Sequence, residues 1–187
     1  MSRGGEKLDA ALHTFGIDVA GSRVLDAGAS TGGFTDCLLQ RGAARVVAAD
    51  VGYGQLHERL RADDRVDVHE RTNVRGLGPR VIGGPVDVVV ADLSFISLRT
   101  VAPALLDCAR PGADLVLLVK PQFEAGRADA SRGRGVIRDP AVRERALAEV
   151  CGAFVDLGAT IMGTMESPLK GADGNVEFLV HVRKADS

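Results

Sequence analysis

The sequence predicts an α/β fold: a Rossmann-like, seven-stranded and mostly parallel sheet with helices on both faces, closed by a C-terminal antiparallel hairpin. Three observations predict it. Short β-branched runs alternate with longer helical patterns, as βαβ units require. Most of those runs are apolar on both faces, as strands covered by helices on both sides must be. The last two strand-like runs have only a loop between them, too short a connection for a parallel crossover.

The elements follow in order. Residues 1–20 read as an N-terminal helical and linker segment, and residues 21–187 as one domain. Strands are expected at 23–26, 45–50, 66–69, 86–91 and 115–119, each a compact run rich in Val, Leu and Ala. One helix shows in the stripe Val101, Ala102, Leu105, Leu106 and Ala109, stopped by Arg110-Pro111-Gly112. Another shows in Val142, Ala146, Leu147, Val150, Phe154 and Leu157, opened by Asp139 as cap and Pro140 at the first helical position. The hairpin is expected from 159–164 and 175–182, with the loop 165–174 between them. In its second strand Val176, Phe178, Val180 and Val182 share one face, and Glu177, Leu179 and His181 the other. The Gly- and Arg-rich stretch 123–138 reads as a long mobile loop.

At 187 residues the chain has the length of one domain with a full core. Lys and Arg number 23 against 25 Asp and Glu, a net charge of -2, so no global cationic field draws it to nucleic acid or anionic lipid. Any nucleic-acid contact must come from a local patch. The best candidate is Arg127, Arg132, Arg134, Arg138, Arg143 and Arg145, set against only Asp129, Asp139 and Glu144. The 3 cysteines lack ligand spacing and sit among apolar residues, and the 4 histidines show no metal pattern, so no metal site is expected. Reduced thiols, and the lack of a leader or a membrane-length apolar run, suggest the cytoplasm and no membrane partner. Lysine is scarce: only Lys7, Lys120, Lys170 and Lys184 are present, so 19 of the 23 basic residues are arginine.

The strongest local signal is the strand, glycine turn and helix written by Val24 to Phe34. Glycines there allow close backbone approach to a ligand. Their spacing, Gly28, Gly32 and Gly33, is not the G-x-G-x-x-G of a dinucleotide site, and no phosphate loop of the G-x-x-x-x-G-K-[ST] type exists. Asp26, ahead of the first glycine, suits a ligand amine better than a pyrophosphate. Asp50 ends the next strand, near the offset at which an acid meets a ribose diol. Together these features point to S-adenosylmethionine as cofactor.

Several motifs then carry a family likeness. Asp26-Ala27-Gly28-Ala29-Ser30-Thr31-Gly32-Gly33-Phe34-Thr35, Asp50-Val51-Gly52-Tyr53-Gly54-Gln55-Leu56, Arg71-Thr72-Asn73-Val74-Arg75, Asp92-Leu93-Ser94-Phe95-Ile96-Ser97-Leu98 and Lys120-Pro121-Gln122-Phe123-Glu124 span most of the chain. In them the sequence resembles the TlyA (hemolysin A) family of FtsJ-like RNA methyltransferases. The opening Ser2-Arg3-Gly4-Gly5-Glu6-Lys7-Leu8 resembles the family segment that follows an S4-type RNA-binding domain, a domain this sequence does not include.

The resemblance implies transfer of methyl to ribose 2′-hydroxyls of ribosomal RNA by a Lys-Asp-Lys-Glu tetrad, matched here by Lys7, Asp92, Lys120 and Glu177. A ribose hydroxyl is a poor nucleophile. It needs a base, or a cation for the developing alkoxide, and an arginine, always protonated, cannot be the base. Lys120 is expected to withdraw or mask the hydroxyl proton, with Asp92 and Glu177 orienting it and Lys7 steadying the substrate. Asp26, Gly28, Ser30, Thr31, Gly32, Gly33, Phe34, Asp50, Val51, Thr72, Asn73 and Asp92 are the expected cofactor residues, Thr72 and Asn73 on the adenine side. Ser94 and Phe95 continue the catalytic strand, Phe95 as core packing. The absent RNA-binding domain and near-neutral charge keep open a stand-alone relative acting on a small molecule.

Overall fold

A computed structural model describes residues 2–126 and 135–186. Its strands are β1 (Arg23–Ala27), β2 (Arg45–Ala49), β3 (Val66–His69), β4 (Val86–Ala91), β5 (Ala109–Val119), β6 (Thr160–Glu166) and β7 (Phe178–Arg183). The helices are α1 (Arg3–Phe15), α2 (Gly33–Gln40), α3 (Glu58–Arg61), α4 (Leu98–Cys108), α5 (Pro121–Glu124) and α6 (Pro140–Asp156). The 7 strands form one sheet in the order β3-β2-β1-β4-β5-β7-β6. β1 to β5 run parallel, and β7 is antiparallel to both β5 and β6.

Strand alternation sorts the core into two layers. Leu25, Val47, Val89, Leu117, Val180 and Val182 point toward α4 and α6, meeting Val101, Leu105, Val150 and Phe154. Their neighbours Val24, Val46, Val88, Val116, Leu118 and Leu179 point toward α1 and α2, meeting Leu8, Leu12, Cys37 and Leu38. Each fully buried side chain of this size contributes roughly 1.5–3 kcal/mol of burial. The face assignment read for Phe178, Val180 and Val182 against Leu179 is the one observed.

The helix starts are chemically explicit. Ser2 caps α1 by accepting the Gly5 N–H at 3.2 Å, and Gly16 ends it in the left-handed region at φ 66°. Asp139 caps α6 by accepting the Ala141 N–H, with Pro140 in the first turn as its sequence foretold. Leu8, Ala11, Leu12, Ile17 and Val19 carry the first twenty residues into the α2 side of the core.

Several boundaries differ from expectation, β6 for one reaching Glu166 instead of ending at 164. Ala109 belongs to β5, paired with Val86, because Arg110-Pro111-Gly112 interrupts the β4–β5 ladder instead of separating helix from strand. Proline lacks the N–H the ladder needs, and Gly112 takes φ 70°. Leu157 follows α6 and is exposed. β7 begins at Phe178 because Asn175, 2% exposed, gives its side chain to Gly135 O and the Ile137 N–H. Phe123 and Glu124 close a short helix, not a loop. Of the proposed arginine patch, Arg127, Arg132 and Arg134 lie outside the described residues, Arg138 is exposed, and Arg143 donates to Ile137 O at 2.8 Å. No described helix is long and apolar enough to cross a membrane, and no described group of His, Cys, Asp and Glu is placed to hold a metal.

Candidate active site

The strand order reverses between β1 and β4, the place where open α/β sheets hold ligands beyond their carboxyl ends. A cleft of about 500 Å³ opens there, lined by Gly28, Ser30, Asp50, Val51, Asn73 and Asp92. Leu93, Ser94, Phe95 and Ile96 complete one wall. A recess of about 310 Å³ shares Gly28, Ser30 and Asp92 and extends past Thr31, Gly33 and Phe34 to Ser2, Arg3 and Gly4. Gly32 faces a separate depression beside His57 and Arg59, and a Cβ on it would overlap Leu60. Asp26 and Thr72 line neither the cleft nor the recess.

Gly28 is set by close approach. Its φ is 89°, and a Cβ would overlap the Asp92 carbonyl oxygen and lie 2.9 Å from Leu93 Cδ2. Gly28→Ala is therefore expected to destabilise the fold by roughly 2–4 kcal/mol. Differential scanning calorimetry checks this as a midpoint lowered by roughly 5–15 °C.

Two acids flank that turn. Asp50 leaves β2 and stitches the turns together: Oδ2 accepts the Ser30 N–H at 2.8 Å and Oδ1 the Gly52 N–H at 2.7 Å. Asp26 is fully buried. Its Oδ2 accepts from Thr35 Oγ1 at 2.6 Å, while Oδ1 has no hydrogen-bond partner. Burial pushes the Asp26 carboxyl up to about 7, against the pull of Thr35 and with further push from the Asp92 and Asp50 charges. Thr72 is spent on its own turn, its N–H on Asp50 O and its hydroxyl on Glu70 O, whereas Asn73 reaches the cleft.

The four tetrad positions form two ion pairs. Lys120, the residue after β5, meets Asp92 Oδ1, and its ammonium also donates to Ser94 Oγ at 3.0 Å. Apart from that ammonium, Asp92 Oδ1 has no partner. Lys7 of α1 meets Glu177 Oε2 at 2.6 Å with both side chains buried. Glu177 thus orients Lys7, and the acid touching Lys120 is Asp92. The β6–β7 loop lies directly over Glu177, since a Cβ on Gly171 would overlap its carboxylate. Arg3 ties the same loop to α1 by donating to Lys170 O at 2.8 Å.

Phe95 corrects its expectation. It is 92% exposed at φ 64°, with its ring centroid 5.0 Å from that of Phe123, so it stands at the cleft mouth and not in the core. Ser94 and Thr35 have no role assigned from sequence, and the structure gives each a partner, Lys120 and Asp26. A hydroxyl two residues past Asp92, and one at the helix start facing Asp26, were the signals available.

This sheet order, switch-point cleft and terminal antiparallel strand define a Rossmann-like methyltransferase fold. It is shared with a solved S-adenosylmethionine-dependent methyltransferase from Mesorhizobium loti at 18% identity and TM-score 0.67, over 94% of this chain and 96% of that one. Within that class the chain belongs to the FtsJ-like methyltransferase family, whose model matches residues 1–184. It is 59% identical over 183 residues to the 16S/23S rRNA (cytidine-2′-O)-methyltransferase TlyA of Mycobacterium tuberculosis, covering 98% of this chain and 68% of the relative. The 23S rRNA (cytidine-2′-O)-methyltransferase TlyA of Campylobacter jejuni is 34% identical, with 98% and 71% covered. A solved hemolysin from Streptococcus thermophilus superposes at TM-score 0.95 and 45% identity, over 100% of this chain and 68% of that one.

Proposed function

We propose that this chain uses S-adenosylmethionine to methylate ribose 2′-hydroxyls of ribosomal RNA. The observation that carries the reading is Lys120, held by Asp92 and Ser94, two residues that line the cleft together with Asp50 and the turn at Gly28. Two relatives are named for cytidine 2′-O-methylation of rRNA, which supports the acceptor class.

The residues present fit the cofactor. The unpartnered, buried Asp26 Oδ1 suits its ammonium, and each Asp50 oxygen keeps a lone pair for a ribose hydroxyl beyond the N–H it already accepts. Val51 and Asn73, which line the cleft, would hold the adenine side, and Gly28, Ser30, Thr31 and Gly33, which line the recess, the methionine side. Bound there, S-adenosylmethionine supplies a methyl group on a sulfonium, ready for attack by an oxygen. Lys120 Nζ, acting as the amine, takes the 2′-hydroxyl proton; Asp92 Oδ1 and Ser94 Oγ then hold the ammonium. The Lys7–Glu177 pair fixes α1 against the residue that leads into β7 and so fixes the recess wall made by Ser2 to Gly4. Exposed Phe95 offers a flat apolar face on which a base can stack.

The test incubates the purified protein and methyl-labelled cofactor with rRNA and with isolated ribosomal subunits. Label is expected at 2′-oxygens, read as dinucleotides that resist alkaline cleavage, and is expected to decline as salt rises. Label accepted by a small hydroxylated metabolite but by no rRNA or subunit would overturn the RNA reading.

A further inference from the structure

We propose that Glu124 is the positioning residue that sets Lys120 against Asp92 and Ser94; this deepens, and rests on, the reading of Lys120 as the group that meets the acceptor hydroxyl. Glu124 ends α5 and is 3% exposed. It does not line the cleft. Its Oε2 accepts from Ser97 Oγ at 2.5 Å and its Oε1 from the Leu98 N–H at 2.7 Å. The Arg99 guanidinium lies 3.6 Å from Oε2 and donates to the Glu124 carbonyl at 2.9 Å.

These contacts close a ring. Asp92 to Ser97 is the loop leaving β4, and Lys120 leads from β5 into the short helix α5 that Glu124 ends. Lys120 joins the two segments at their start and Glu124 joins them at their end. Capping alone does not explain Glu124, because α4 already has a cap in Ser97, whose hydroxyl accepts the Arg99 N–H at 3.2 Å. A second acceptor buried under that helix start adds a link between loops more than it adds a cap.

The ring is needed because the Lys120–Asp92 pair is partly open to water, with side chains 12% and 26% exposed. Ion pairs near solvent hold geometry weakly. A buried carboxylate with two short hydrogen bonds and a nearby guanidinium holds it far more firmly. Burial pushes the Glu124 carboxyl above the usual range, while Ser97, Leu98 and Arg99 pull it back. The same logic marks Asn175, which pins Gly135 and Ile137 two residues before Glu177.

Two variants test it, E124Q and S97A, with two readouts. In steady-state transfer to the RNA acceptor, E124Q is expected to lose about 10–100-fold in kcat with both KM values nearly unchanged, and S97A less. In the cofactor-free protein, the Lys120 side chain followed by NMR relaxation is expected to lose order in E124Q, as its ammonium is no longer held against Asp92 and Ser94. Wild-type kcat in a folded E124Q overturns the proposal. So does a fall in kcat and melting temperature with the order of the Lys120 side chain unchanged, which is a structural role only. If E124Q does not fold, S97A with unchanged kcat and unchanged Lys120 order overturns it. No transfer by the wild-type protein sinks the RNA reading instead, while NMR relaxation still decides the role of Glu124.

Discussion

Lys120→Ala is expected to bind cofactor within about twofold of wild type yet transfer methyl groups about 10²–10⁴-fold more slowly, the range a positioned base contributes. Binding survives because Lys120 lines neither the cleft nor the recess, and its contacts run to Asp92 and Ser94. Lys120→Arg separates two roles. A guanidinium preserves the charge beside Asp92 but stays protonated, so a base role predicts that Arg is as inactive as Ala. If Arg retained most of the rate, charge stabilisation would replace proton removal. Single-turnover transfer by the two variants, beside calorimetric cofactor binding, measures these outcomes.

The strands were legible because each is a β-branched run whose alternate residues feed two opposite layers, as in Val46 and Val47. The glycine turn, Asp50 and the tetrad residues were legible as residue types at strand ends. Their pairing was not. Lys7 and Glu177 stand at opposite ends of the chain, and only the antiparallel insertion of β7 beside β5 brings them together. Phe95 was misread because an apolar residue after a buried strand resembles Leu93, which is indeed buried. A left-handed φ of 64° turns it outward, and no glycine or asparagine marks the place. Glu124 escaped notice for a similar reason. Its partners Ser97 and Leu98 are remote in sequence, and a polar residue in a Gly- and Arg-rich stretch gives no sign of burial.

Asp26→Asn is expected to strengthen the cofactor-free fold above neutral pH and to weaken cofactor binding, opposite effects from one atom. The Asp26 carboxyl is pushed from 3.8 up to about 7, first by burial. The folded state therefore keeps a proton that the unfolded chain releases. The resulting stability is fully present below about pH 4 and is lost as pH rises through about 7, on the order of 4 kcal/mol in all. Glu124, also raised by burial, adds to this slope, whereas Asp63, Asp67 and Glu70, held low by arginines, lose their contribution only at more acidic pH. Asparagine cannot ionise, so the variant should show a flatter melting temperature between about pH 4 and 7, the window that linkage sets. Binding runs the other way. An ammonium needs the ionised acid, so wild-type affinity should rise toward about pH 7 with release of a proton, and the variant should bind about 10–100-fold more weakly at pH 8. Calorimetry in buffers of different ionisation enthalpy reads both the affinity and the proton count. Equal affinity in the two proteins would place the cofactor ammonium away from Asp26, and an unchanged pH slope of melting would mean that Asp26 is ionised in the folded protein.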